Sequence, residues 1–344
     1  MNMKELRTAA REKLKGWCRV CPVCDGRACA GELPGMGGAG AAECFKDNVL
    51  AFKELKLNLR TLHNASEPDC SVELFGQRLS LPVMGAPMAG ASTNLGGAME
   101  EAELAEALHG GCTDAGTLCW SGDGANPLFF ATGLEAVRKR QGKGIPTIKP
   151  RGAEEIIKRV RQAEDAGAIA VAVDVDTAGF QAMTAQGQRV GPTGPEEITA
   201  IVRATSLPVI LKGIMTPDEA VLAASLGVAG IVVSNHGGRV LDGCPGTARV
   251  LPGIAAAARG KIQIILDGGV RTGADVLKAL ALGANAVLVG RPLIVAAAGG
   301  GAEGVALAVR TLAAELATAM ILTGTARTTD VSPSIVTGTS WRDM

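Results

Sequence analysis

The sequence predicts an α/β protein, a closed (β/α)8 TIM barrel with a Cys-rich N-terminal extension. Three observations carry this prediction. Eight short apolar runs lie beyond about residue 80, helical stretches alternate with them, and several of those stretches end in a glycine placed as a C-cap. Most of the runs lack polar alternation, as parallel strands buried on both faces require.

In chain order the predicted strands are LPVMGAP (81–87), AGTLCW (115–120), GIPTIK (144–149), AIAVAVD (168–174), LPVILK (207–212), GIVVSN (230–235), QIILDG (263–268) and AVLVG (286–290). Helices are expected at EEAELAEALHGG, AEEIIKRVRQAEDAG, TPDEAVLAASLG and TGADVLKALALG, with Thr216-Pro217 and Thr272 as starts. An Ala/Leu-rich tail at about 303–323 reads as a final amphipathic helix. Eight strand–helix repeats close a barrel; an open doubly wound sheet is the rival arrangement.

Residues 1–45 form a distinct segment with five of the nine cysteines and the run GELPGMGGAGAA; residues 46–344 are assigned to the barrel. The chain has 344 residues, 47% of them apolar, which supports a large core. Basic and acidic residues number 34 each, so charge offers no argument for nucleic acid or an anionic membrane as partner. No stretch of about 20 apolar residues is read as a membrane span, and the charged N-terminus has no apolar leader core, so a cytoplasmic location is expected.

Barrel chemistry sits at the C-terminal ends of the strands. The polar residues there are Asp174 and Asp176 after strand four, Lys212 after five, Asn235-His236 after six, Asp267-Gly268-Gly269 after seven and Gly290-Arg291 after eight. The stretches DGGVRTG and VGRP follow strands seven and eight, the usual phosphate loops of this fold. Glycines there bare backbone N–H groups, and Arg271 and Arg291 add charge-assisted bonds. The plainer alternative is that the glycines only make turns.

His236 is the one histidine of three at a predicted strand mouth, which suits a general base. Asp176 can orient its far nitrogen, or else simply cap a helix. Arg239 can grip a planar carboxylate. Lys212, ending an apolar strand, needs an anion. It would face the electron-rich edge of a flavin, form a Schiff base in a lyase, or reach solvent.

The stretches SNHGGRVLD, LPVILKG, LDGGVRTGADVLKALALGANAVLVGRP and LPVMGAPMAG together resemble the FMN-dependent 2-hydroxy-acid oxidase and dehydrogenase family, which includes glycolate and lactate oxidases. The resemblance covers about residues 45–330. It implies a barrel that binds FMN at the strand mouths and oxidises a 2-hydroxy acid to the 2-oxo acid. It implies His236 as base with Asp176 as partner, Arg239 on the substrate carboxylate, Lys212 on the ring, and Ala86 and Pro87 along the ring. Ser234 would line the site, Asp267 and Gly269 would meet the ribityl and phosphate region, and Arg271, Gly290 and Arg291 would hold the phosphate. A homo-oligomer, by family analogy a tetramer, is expected.

The departures matter. The family uses tyrosines to hold substrate, and this chain has none. Lys149 stands near the strand-three tyrosine position, Thr147 near a flavin-contacting glutamine, and Asp174 where a neutral hydroxyl is usual. After strand four only Arg189 is offered for a second carboxylate contact.

Cys18, Cys21, Cys24 and Cys29 have the spacing C-x2-C-x2-C-x4-C, close to ferredoxin-type iron–sulfur spacing and compatible with zinc; free thiols are the alternative. The typical family lacks this segment. Three further functional readings stay open: an FMN-dependent isomerase, a flavin-free lyase using Lys212, and a redox sensor that uses its cysteines.

Overall fold

The computed structural model describes residues 1–179, 181–184, 187–188 and 190–338. Arg189, the candidate second carboxylate contact, lies outside the described residues.

Eight parallel strands close into a barrel: β1 (Val83–Met88), β2 (Cys119–Ser121), β3 (Gly144–Ile148), β4 (Val171–Asp174), β5 (Val209–Lys212), β6 (Gly230–Val233), β7 (Gln263–Leu266) and β8 (Ala286–Val289). Each strand pairs with its sequence neighbours, and β8 pairs with β1. All eight predicted runs are strands, trimmed mainly at their ends. The helices between them match the predicted stretches: Glu101–Asp114, Ala153–Asp165, Pro217–Ser225 and Gly273–Ala281. Thr272 caps the last of these through a bond to the Asp275 N–H.

Side chains alternate inward and outward along each strand. Met84, Trp120, Ile145, Ala172, Ile210, Val232, Ile265 and Leu288 fill the barrel interior. A hairpin (Val72–Leu74 with Gln77–Leu79) plugs its lower end through Leu74 and Leu79. The outward residues, such as Val209, Leu211, Ile231 and Val233, meet the helices in a second and larger cluster. Two residues past each interior side chain, the same face reaches the mouth. Ala86 follows Met84, Thr147 and Lys149 follow Ile145, Asp174 follows Ala172, and Lys212 follows Ile210. Ser234, Asp267 and Gly290 follow Val232, Ile265 and Leu288. The period of two therefore delivers the candidate residues to one opening.

Helix α1 (Met3–Lys13) begins with a capping box between Asn2 and Glu5. Its Leu6 and Ala10 belong to the same core cluster as the barrel wall. Helix α2 (Glu43–Glu54) runs across residue 45 and packs over the β6 and β7 loops. Residues of the first segment thus share a core with the barrel.

The last helix differs from expectation. It spans Arg291–Thr323 and bends at Gly300 and Gly301, where the backbone leaves helical angles. It is also long and apolar enough to cross a membrane, which corrects the sequence reading. The cause is its Ala-, Gly- and Val-rich composition, which lets neighbours approach closely. It packs along α1, Glu101–Asp114 and Gly273–Ala281 as part of the barrel wall.

Candidate active site

A cavity of about 670 Å³ opens at the C-terminal mouth. This is within the usual size of a cofactor pocket. The barrel contributes Ala86, Pro87, Lys212 and Asp267 to its wall, and the loops contribute His236, Arg239, Gly269, Arg271, Gly290 and Arg291. Ten predicted positions thus converge. Asp176 and Ser234 stand behind the wall: Asp176 holds the imidazole, and the Ser234 hydroxyl accepts a bond from the His236 N–H at 3.1 Å.

His236 occupies the left-handed region (φ 57°), followed by Gly237 and Gly238 at φ 64° and 74°. A non-glycine residue held there marks a conformation fixed by its surroundings. The surroundings are specific. A Cβ on Gly238 would stand 2.5 Å from the Phe45 backbone nitrogen on α2. The turn carries the imidazole over the barrel mouth.

The His236 Nδ1 lies 3.0 Å from Asp176 Oδ1 and 3.5 Å from Asp174 Oδ1. This pairing places the proton on Nδ1 and leaves the Nε2 lone pair for base chemistry. Gly213 makes room for it, since a Cβ there would lie 2.4 Å from the Asp176 Cβ.

Beneath the imidazole is a dense charge cluster. Lys212 Nζ bonds Asp174 Oδ1 at 2.9 Å and approaches Asp176 and Asp267 at 3.6 and 3.8 Å. Lys149 Nζ bonds the other oxygen of Asp174 at 2.5 Å. Burial pushes the Asp174 carboxyl upward, but Lys149 and Lys212 outweigh it and hold it well below the usual range. Burial pulls the Lys212 ammonium down, yet Asp174, Asp176 and Asp267 reverse this and raise it. Asp267 is raised, because burial exceeds the help of Lys212.

The phosphate side is cationic. Arg239, Arg271 and Arg291 form no ion pair with a carboxylate among the described residues. Burial lowers Arg239 to about 10, and burial together with Arg239 lowers Arg291 to about 9. These depressions express uncompensated positive charge, because guanidinium keeps its proton. Arg291 donates to the carbonyls of Met36 and Gly37 at 2.7 Å each and stacks on Phe45 at 3.8 Å. Arg271 donates to the Cys24 carbonyl at 3.1 Å. Arg239 donates to the Gly35 carbonyl and, at 2.9 Å, to Asn94.

The N-terminal segment is thus part of the site. The run GELPGMGGAG, which the sequence leaves open as a cover over the flavin or a linker, brings its carbonyls to Arg239 and Arg291, and two asparagines were missed. Asn48 on α2 is buried, exchanges bonds of 2.9 Å with Asn235 and accepts from the Thr247 N–H. Asn94 joins Gly35 to Arg239. Gly268 and Gly269 serve α2 as well as a ligand, since a Cβ on Gly269 would lie 2.1 Å from the Asn48 carbonyl oxygen.

The cavity suits a flavin phosphate. Three arginines without acidic partners face it, and two buried oxygens of its lining, Thr147 Oγ1 and Asp267 Oδ1, have no partner among the described residues. A polar ring edge and an anionic tail would satisfy both needs. The four N-terminal cysteines are partly exposed and form no disulfide. They do not meet in a compact ligand set, and among the described residues only Asp174, Asp176 and His236 do. The Lys212 ammonium already serves those oxygens.

A parallel barrel with an Asp-backed histidine and a cationic phosphate wall at its mouth is a site of the flavin-dependent oxidoreductase class. Comparison with known proteins agrees. The model of the FMN-dependent dehydrogenase family matches residues 35–190 and 181–338. The chain is 36% identical to 2-hydroxyacid oxidase 1 of Homo sapiens, with 83% of this chain and 86% of that protein covered. It is 33% identical to 4-hydroxymandelate oxidase of Amycolatopsis orientalis, covering 87% and 92%. A crystal structure of mandelate oxidase superposes with a TM-score of 0.80 at 30% identity, covering 98% of each chain. The chain belongs to the FMN-dependent dehydrogenase family, whose relatives here include 2-hydroxyacid, lactate and 4-hydroxymandelate oxidases.

Proposed function

We propose that this chain is an FMN-dependent oxidoreductase that converts a small 2-hydroxy acid, or a related alcohol, to the 2-oxo product. The observation that carries the reading is the 3.0 Å bond between His236 Nδ1 and Asp176 Oδ1 at the rim of the cavity shared with Arg239. Bound FMN supplies the acceptor for the two electrons of the oxidation.

The chain's residues supply the rest. His236 Nε2 takes the substrate proton, and Asp176 stabilises the imidazolium that results. Arg239 faces the cavity as a cation without an acidic partner among the described residues, and it would bind the substrate carboxylate. Lys212 would present its positive charge to the edge of the ring. Arg271 and Arg291 would hold the phosphate, with Gly290 giving its backbone room to approach. Ala86 and Pro87 would run along the ring.

The Schiff-base reading of Lys212 is disfavoured. Three carboxylates around its ammonium keep it protonated and so poorly nucleophilic. The reading also takes in a metal centre at the N-terminal cysteines, supported by their spacing. It includes a cytoplasmic location, drawn from the charged N-terminal stretch, and a homo-oligomer, drawn from family analogy.

The test is His236→Ala. The variant should retain FMN but lose flavin bleaching by a panel of 2-hydroxy acids under anaerobic conditions, by roughly 10²-fold or more in rate. Undiminished bleaching would remove His236 as the base.

A further inference from the structure

Behind the phosphate wall lies a second cavity of about 480 Å³, lined by all four N-terminal cysteines. Arg271, Arg291, Met36 and Gly269 line both cavities, so the two share a wall. We propose that Cys18, Cys21, Cys24 and Cys29 hold an iron–sulfur cluster in this second cavity, beside the flavin phosphate.

The turns around the sulfurs are built, not loose. Val20 sits in the left-handed region at φ 46°, and its N–H donates to Cys18 Sγ at 3.4 Å. Arg7 and Arg11 of α1 bind the Val20 carbonyl at 3.3 and 3.1 Å, and Arg7 also binds the Cys21 carbonyl at 2.5 Å. Gly26 turns at φ 85°, and a Cβ there would strike the Phe45 ring at 2.7 Å. Arg271 brings a guanidinium nitrogen to 3.8 Å from Cys24 Sγ. N–H donors and cations aimed at sulfur stabilise thiolate and tune a cluster.

The run C-x2-C-x2-C-x4-C, close to the ferredoxin pattern, favours iron–sulfur over zinc, and the sulfur positions do not contradict it. No three of these sulfurs lie within 4.8 Å of one another, since the only such set among the described residues is Asp174, Asp176 and His236. A multi-iron cluster binds each cysteine to a different iron and so spaces the sulfurs more widely. The roomy cavity, the cationic collar and the sequence spacing fit such an anionic cluster.

The cluster's role deepens the flavin reading and rests on it. Oxidation of the hydroxy acid releases two electrons and two protons. The protons pass to water. A cluster held by these four cysteines would supply a one-electron carrier beside the flavin phosphate, able to pass the two electrons of the oxidation singly to an external one-electron acceptor.

The experiment is metal, sulfide and FMN analysis of the full chain purified without oxygen. Iron and acid-labile sulfide in equal amounts, with a paramagnetic iron–sulfur signal after dithionite, is the expected result. Cys21→Ser and Cys24→Ser should each lose most of the iron while retaining FMN. Iron and sulfide without FMN would support the site and count against the flavin reading. Stoichiometric zinc without sulfide would overturn the proposal. So would wild-type protein that binds FMN but takes up no iron after reconstitution with ferrous iron and sulfide.

Discussion

Lys149 Nζ and Asp174 Oδ2 meet 2.5 Å apart at the barrel mouth, joining β3 to β4. Each answers the other. Asp174 puts a buried negative charge beneath His236, and Lys149 together with Lys212 offsets it. Lys149→Met should destabilise the fold by less than the roughly 3–5 kcal/mol of a buried charge left without any partner, because Lys212 still bonds Asp174. The double variant Lys149→Met with Asp174→Thr should recover much of that loss. Urea denaturation of the two singles and the double checks this; strictly additive losses would dissolve the coupling.

The same pair sets a pH dependence. Asp174 titrates well below the unfolded aspartate value of about 3.9, so its contribution to stability is complete above that pH. The contribution fades as pH falls below about 4 toward the depressed folded value. The stability gap between wild type and Asp174→Asn should be full at pH 7 and should narrow in acid. A gap that is constant from pH 7 to pH 3 would show that Asp174 carries no such shift.

Asp176→Asn keeps the shape behind His236 but removes the carboxylate that fixes Nδ1–H and stabilises the imidazolium. Flavin reduction by substrate should fall about 10²-fold or more, with FMN affinity unchanged. Stopped-flow flavin reduction measures the first and fluorescence titration the second.

Arg291→Ala should weaken FMN retention by roughly 10- to 150-fold, the equivalent of about 1.5–3 kcal/mol for hydrogen bonds to a charged group. Equilibrium dialysis with FMN reads it. Retention equal to wild type would move the phosphate elsewhere.

Gly238→Ala would force a Cβ into a left-handed position 2.5 Å from the Phe45 nitrogen. A loss of more than about 1 kcal/mol follows from the backbone penalty alone, with the clash in addition. Thermal unfolding of the variant, beside Gly243→Ala, where no atom lies within 4 Å, separates the two costs.

The barrel was legible because each strand is a short apolar run buried on both faces, and because the inward parity of Ile210, Val232 and Ile265 extends to Lys212, Ser234 and Asp267. What stayed hidden depends on partners far away in sequence. Nothing local in GELPGMGGAG shows that the carbonyls of Gly35, Met36 and Gly37 will bind Arg239 and Arg291, some 200 residues and more onward. Asn48 and Asn94 lack a motif, and only the folded contacts distinguish them from ordinary helix residues. The final helix is expected from about residue 303 but starts at Arg291, twelve residues earlier, with the Gly300–Gly301 bend falling between the two starts.

The close fit of α1 against the last helix has a consequence for biogenesis. A Cβ on Gly299 would stand 2.2 Å from the Leu6 carbonyl oxygen, so these two elements dock backbone to backbone. During synthesis the opening helix emerges from the ribosome long before its companion exists, and it must wait with Leu6 uncovered. The cavity that the cysteine turns share with Arg271 and Arg291 is therefore closed only when almost all of the chain has been translated.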